Sequence, residues 1–171
     1  MPCPGRFGLC TNRLNRIITR VNALPRTLQP LALSFVFGKA IPFAGTGKIR
    51  VEKPTESKSV LTMKNRRRVR NHIGSIHAAA MALLAESATE FIVGMNVPDT
   101  RILVIKSMDI RYVRRATGNL RAEANLNQDQ RNAIADQEKG DVLVAIKVMD
   151  ETGAEPVKCA MVWAWTTKKT P

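Results

Sequence analysis

NHIGSIHAAAMALLAESATEF occupies residues 71–91. Between Gly74 and Phe91 the side chains of Ile76, Met81, Leu83 and Leu84 and a run of alanines leave no polar stripe before the last turn. Such a pattern predicts a helix enclosed by other structure on nearly every side. Glu86 stands inside it, where an ionised carboxylate is too costly to leave alone. It must be paired, protonated or employed.

Working outward, the rhythm on both sides of this helix changes to period two. Before it, Ile49 and Val51 alternate with basic residues, and Ser59 to Lys64 reads as a second strand. After it, Pro98 and Asp99 break the chain. A long strand through Met108, Ile110 and Tyr112 follows, and Gly118-Asn119 is expected to turn it back as a hairpin into Leu120, Ala122, Ala124 and Leu126. The polar stretch Asn127 to Gly140 separates that strand from Val142 to Met149, and the turn at Asp150 to Gly153 leads into a last strand. That strand places Val157, Cys159, Met161, Trp163 and Trp165 on one side. The tryptophans are expected in the core or at a subunit interface. The order is two strands, one buried helix, four strands. An α+β fold follows, in which an antiparallel sheet wraps around one long central helix, because such a sheet has no other way to bury its concave face.

The residues ahead of this body are basic. Residues 1–75 hold 15 Lys and Arg against Glu52 and Glu56, whereas residues 76–171 hold 12 of each sign. An anionic partner would therefore meet the N-terminal half. Residues 1–43 read as a basic helical extension and residues 44–171 as the main domain. Thr11 is placed to cap a helix reaching about Leu24, with Leu14, Ile17, Ile18, Val21 and Leu24 on one stripe and Arg13, Arg16 and Arg20 on another. That stripe suits docking on the protein itself or on a partner subunit, with peripheral membrane contact as the second reading. Pro25, Pro30 and Pro42 punctuate a hydrophobic segment left as short helix or coil. The longest apolar run, Leu31 to Phe37, falls short of the roughly 20 residues of a membrane span. Cys3, Cys10 and Cys159 form no paired spacing, which disfavours a disulfide framework or a zinc site and fits a reducing cytoplasm.

Taken together, the element order and Asn71-x5-His77-Ala78-Ala79-x6-Glu86 resemble the hotdog-fold thioesterases of the phenylacetate-degradation type, over about residues 45–167. In that family an Asn precedes a His-Gly-Gly helix entry by six residues and an acid follows the His by nine. Asn71, His77 and Glu86 keep both intervals, while Ala78 and Ala79 replace the glycines and Glu86 the usual aspartate. The chain also resembles an uncharacterised hotdog subgroup marked by an Arg-rich strand running into Asn-His-x-Gly-x-x-His-Ala, here Arg66 to Ala78.

The resemblance implies hydrolysis of an acyl-CoA or another acyl thioester, with no cofactor and no metal, by a homodimer or dimer of dimers. The Ala78 amide would hold the oxyanion, Glu86 would act as general base or nucleophile, and Asn71 and His77 would orient carbonyl and water. Ala79 would line the substrate entry. Nine helical residues turn about 900° and advance about 13 Å, so His77 and Glu86 would meet only across a dimer, unless His77 precedes the first regular turn. Competing structural roles are a salt bridge from Glu86 to Arg70 or Arg111, helix capping by His77, and turn formation by Asn71. Arg66 and Arg68, with Arg114 and Arg115, form either a solvated edge or a contact for coenzyme A phosphates. Nucleic-acid binding is disfavoured, because alternation would split the arginines between two strand faces and no aromatics interleave them. A non-catalytic acyl-ligand binding protein is the alternative function.

Overall fold

The central apolar segment forms α4 (Ala78–Asn96), with Leu84, Ala85, Ala88, Ile92 and Val93 fully buried beneath the sheet. The computed structural model describes residues 12–168 apart from residue 53. Ahead of α4 lie α1 (Arg13–Asn22), α2 (Gln29–Ala40), α3 (Pro42–Gly47), β1 (Arg50–Val51), β2 (Lys58–Met63) and a 3-10 turn (Arg67–Val69). After it come β3 (Arg101–Tyr112), β4 (Leu120–Asn125), α5 (Gln128–Asp136), β5 (Gly140–Asp150) and β6 (Val157–Thr167). The strands form one antiparallel sheet in the order β1-β2-β4-β5-β6-β3. This is the hotdog fold.

Alternation carries the packing. Leu120, Ala122 and Ala124 of β4 and Val157, Met161, Trp163 and Trp165 of β6 all face the core, and the small β4 residues let α4 approach the sheet closely. The Trp163 indole N–H donates to Thr89 Oγ1 of α4 at 2.8 Å, so the tryptophan stripe is core. By length and composition α4 could cross a membrane, unlike anything foreseen from the sequence, yet most of it is enclosed here.

Several expectations are corrected. The turn at Gly118-Asn119 does not close a hairpin: β3 pairs with β6, and β5 and β6 lie between it and β4. A turn signal is local, whereas the partner of a strand is set by the whole sheet. Arg66 to Arg70 is not a strand but contains the 3-10 turn, so the argument that alternation splits these arginines fails. The central helix starts at Ala78 rather than Gly74 and runs on to Asn96. The polar stretch after β4 contains α5, started by a capping box in which Asn127 and Gln130 satisfy one another's backbone N–H groups.

Thr11 lies outside the described residues, and Asn12 is the N-cap of α1. The Asn12 amide also donates to the carbonyls of Gly94 and Val97 at 2.7 Å each, and Asn15 donates to Met95 O at 2.9 Å. These bonds satisfy the otherwise orphaned carbonyls at the end of α4. Ile18 and Val21 are buried against the body. Leu14, Ile17, Ile18 and Val21 of the α1 stripe thus pack on the protein itself, while Leu24 stays exposed.

α2 and α3 form a hairpin whose backbones touch at two glycines, and a Cβ on Gly45 would stand 2.6 Å from Gly38 O and 3.2 Å from Gly38 Cα. We expect Gly45→Ala to cost about 1–3 kcal/mol in urea unfolding, since the clash is with backbone that cannot swing aside. A loss below the error of the measurement would show that the hairpin shifts freely.

Candidate active site

The loop that delivers the chain to α4 is built by its own polar residues. His77 N–H donates to Val69 O at 2.7 Å, and Arg70 bridges Ile76 as an isolated antiparallel pair. Asn71 Oδ1 accepts from Ile73 N–H and Ser75 N–H, both at 3.1 Å, while Gly74 takes φ +79° at the tip. Asn71 therefore shapes the loop. Arg115 clamps the outside, its Nε donating to Ser75 Oγ at 2.7 Å and its Nη2 to Ile73 O at 2.6 Å. Tyr112 Oη donates to Ala78 O at 2.9 Å from the end of β3.

His77 is the N-cap of α4, with extended backbone, and its Nδ1 accepts the Ala79 N–H at 3.1 Å. The His77 carbonyl accepts from Ala80 and Met81. Of the first-turn donors, the Ala78 N–H alone has no acceptor among the described residues. It sits where the helix dipole favours negative charge. The Ala79 N–H is already used, and its methyl faces solvent.

Glu86 lies seven residues beyond Ala79, which returns it to within about 20° of the same helix face and about 10 Å along the axis. His77 caps the helix rather than sitting in it, so the angular argument from nine helical residues does not apply to it. The competing salt bridges do not form: Arg70 bonds Asn65, and Arg111 pairs with Asp109. Neither Glu86 nor Glu90 has an ion pair among the described residues. Both are half-buried, and burial raises the Glu86 pKa above the ordinary carboxylate value.

Glu90 is the residue that sequence reasoning missed. It stands one turn beyond Glu86 on the same face. Its pKa rises to about 7, first through burial and then through the neighbouring Glu86 charge. Two acids at an i, i+4 interval on an otherwise apolar helix were visible in the sequence. Since the folded pKa is raised, the folded chain keeps a proton that the unfolded chain releases between pH 4.5 and about 7. Stability attributable to Glu90 is therefore complete at the low end and lost as pH rises through 7. We expect Glu90→Gln to stabilise the chain by about 1–2 kcal/mol at neutral to mildly alkaline pH, after allowance for residual solvation, with the gain vanishing near pH 4.5. Urea unfolding across that range measures it, and a gain independent of pH would contradict the assigned cause.

The four predicted arginines separate into two places. Arg114 is tied to Asp150 and Thr152, and Arg115 to the 73–75 loop, so both brace the fold. Arg66 and Arg68 instead line a cleft of about 740 Å³ with Lys39, Lys48 and Arg50, under α2 and α3. No group of metal-ligating residues is found among the described residues.

A family model described as a domain of unknown function (DUF4442) matches residues 30–165. No curated protein shows significant sequence similarity to the chain. Among solved structures, a Pseudomonas aeruginosa protein of unknown function described as a probable thioesterase is 23% identical, with TM-score 0.70, covering 85% of this chain and 97% of its own. A mutant thioesterase from the same organism is 17% identical, with TM-score 0.64 and coverage of 79% and 92%. A Haemophilus influenzae thioesterase is 14% identical, with TM-score 0.61 and coverage of 73% and 82%.

Proposed function

We propose that this chain, which belongs to the DUF4442 family and carries the hotdog fold, is a thioester hydrolase whose site is shared between two copies of the chain. The observation that carries the reading is that α4 holds both an amide without an acceptor, Ala78 N–H, and a half-buried acid without an ion pair, Glu86, among the described residues. Names of the structural neighbours point the same way.

In this reading the acyl thioester places its carbonyl oxygen at the Ala78 N–H of one subunit. Glu86 of the other takes a proton from water as the water oxygen bonds to the carbonyl carbon. The helix dipole and the amide stabilise the oxyanion. The intermediate then collapses with cleavage of the C–S bond, and the proton held by Glu86 passes to the departing thiolate, releasing a carboxylic acid and a thiol. His77, with Nδ1 committed to the cap, presents Nε2 to the substrate. Asn71 fixes the loop that sets the Ala78 amide. A raised Glu86 pKa suits base work near neutrality.

The need for a second copy rests on the axial separation of about 12 Å between Ala78 and Glu86, eight residues apart within α4 and too far for one substrate carbonyl. A surface for that copy is available, since β3 is a twelve-residue edge strand with Ile102, Val104 and Met108 exposed. Edge strands of that length are ordinarily covered.

One observation favours a second reading, a non-catalytic acyl-ligand binder: His77 consumes the Ala79 N–H, leaving one oxyanion donor rather than two. Thiol release from a panel of acyl-CoA esters separates the readings. Turnover abolished by Glu86→Gln supports hydrolysis, whereas saturable acyl binding with no turnover supports the alternative. Mixed Asn71→Ala and Glu86→Gln chains should recover activity if the site is composite, and no recovery despite subunit exchange would refute sharing.

A further inference from the structure

The cleft under α2 and α3 has an unusual charge balance. Lys39, Lys48, Arg50, Arg66 and Arg68 line it, no acidic residue does, and none of the five forms an ion pair with a described residue. Lys48 holds left-handed backbone, with φ 49° and ψ 44°, at the end of α3. Among the described residues it is the one non-glycine residue with positive φ. Convergent unpaired cations repel one another, and an anion would relieve that repulsion.

The apolar surroundings narrow the choice of anion. Leu28, Leu31 and Phe35 recur at i, i+3 and i+7, so they share one face of the first two turns of α2, and all are exposed. Phe35, 66% exposed, lies on the cleft wall, and Phe43, 67% exposed, follows Pro42 of that wall. Lys39 Nζ lies over the Phe35 ring, 5.9 Å from its centre, so a cation and an exposed aromatic meet at the mouth of the cleft. A soluble phosphate ligand such as coenzyme A accounts for the cations but not for this apolar face.

We propose that the α2–α3 hairpin docks on membranes containing anionic phospholipid, Leu31, Phe35 and Phe43 entering the acyl boundary and the five cations taking lipid phosphates in and around the cleft. Aromatic and leucine side chains beside lysines and arginines are the combination that interfacial binding uses. A second copy of the chain is the poorer occupant, because a symmetric contact would set these unpaired cations against their own equivalents. The hairpin also covers β1, with Ser34 Oγ accepting Val51 N–H at 2.9 Å, at the opposite end of the sheet from β3, whose outer edge pairs with no described strand. It therefore leaves that edge open. This proposal stands independently of the thioesterase reading.

The test is co-sedimentation of the full chain with vesicles of phosphatidylcholine alone and of phosphatidylcholine mixed with phosphatidylglycerol. Binding is expected to the mixed vesicles only, and to weaken as salt is raised. Phe35→Ser with Phe43→Ser, and separately Lys48→Gln with Arg66→Gln, should each weaken it by about tenfold or more. Arg111→Gln, an exposed ion-paired cation on β3, should leave it unchanged. Circular dichroism of each variant checks folding. The proposal is overturned by any of four results: no binding to mixed vesicles, equal binding to both kinds, binding insensitive to the phenylalanine changes, or self-association that the same changes abolish. Saturable binding of free coenzyme A, lost on Lys48→Gln with Arg66→Gln while vesicles do not bind, would reassign the cleft to a small-molecule phosphate.

Discussion

Glu86→Gln should lower thioester turnover by about 10²- to 10⁴-fold, the range that a positioned general base contributes, with a much smaller change in acyl-CoA affinity. Glutamine keeps the shape of the side chain and cannot take the proton from water. The same substitution should not destabilise the protein. Burial raises the Glu86 pKa, so the charged form is disfavoured in the fold, and a neutral amide removes that cost. Loss of activity with undiminished stability is the signature sought; a parallel fall in both would mean that Glu86 holds structure. Glu90→Gln offers an internal control. It removes the neighbouring acid, which keeps its proton up to about pH 7, and leaves Glu86 in place, so the maximal rate and the acid limb set by Glu86 should be largely retained. A loss as large as that of Glu86→Gln would move the assignment of the base to Glu90.

Much of the architecture could be read from local pattern because burial is periodic. The uninterrupted apolar surface of residues 78–85 announces an enclosed helix, and Leu120, Ala122, Ala124 and Leu126 announce which face of β4 is inward. Pairing partners are another matter. Tyr112 lies opposite Val157, more than forty residues along the chain, and no turn signal near Gly118 encodes that. For the same reason the cleft could not be foreseen, since Lys39, Lys48 and Arg66 converge only once α2 and α3 fold over β1. At the candidate site the sequence intervals identify Asn71, His77 and Glu86, but not how their atoms are committed. Whether His77 Nδ1 is free or spent on the Ala79 amide is decided by the conformation of the cap. The helix of residues 128–136 was obscured by its polarity, although its capping residues Asn127 and Gln130 stand at the right interval.

Asp150→Ala should be the most damaging single substitution for stability, costing about 3–5 kcal/mol in urea unfolding, the range for stripping one partner from a buried charged network. Its side chain is 0% exposed and accepts from four groups: the Arg114 guanidinium, Thr117 N–H at 2.9 Å, Thr152 N–H at 2.9 Å and Thr152 Oγ1 at 2.6 Å. Burial works to raise its pKa. The hydrogen bonds from Thr152 and Thr117 and the Arg114 charge outweigh that effect and hold the carboxyl below its ordinary value. A depressed folded pKa means that this stabilisation is present above the ordinary carboxylate range and is lost as pH falls through the lowered value. Alanine leaves two backbone donors without their acceptor and strips the Arg114 guanidinium of its counter-charge, with Thr152 Oγ1 and the Arg115 carbonyl as its remaining acceptors. The damage should also reach the candidate site. Thr117 adjoins Ala116, whose carbonyl accepts from Ser75 Oγ at 3.0 Å, and Arg115 holds the same loop, so loosening residues 114–117 loosens the entry to α4. Arg114→Ala alone should cost less, since Asp150 keeps three donors, and the double variant should fall short of the two single losses added together by about 1 kcal/mol or more. Strict additivity would mean that the carboxylate is held by its threonines and that Arg114 is incidental.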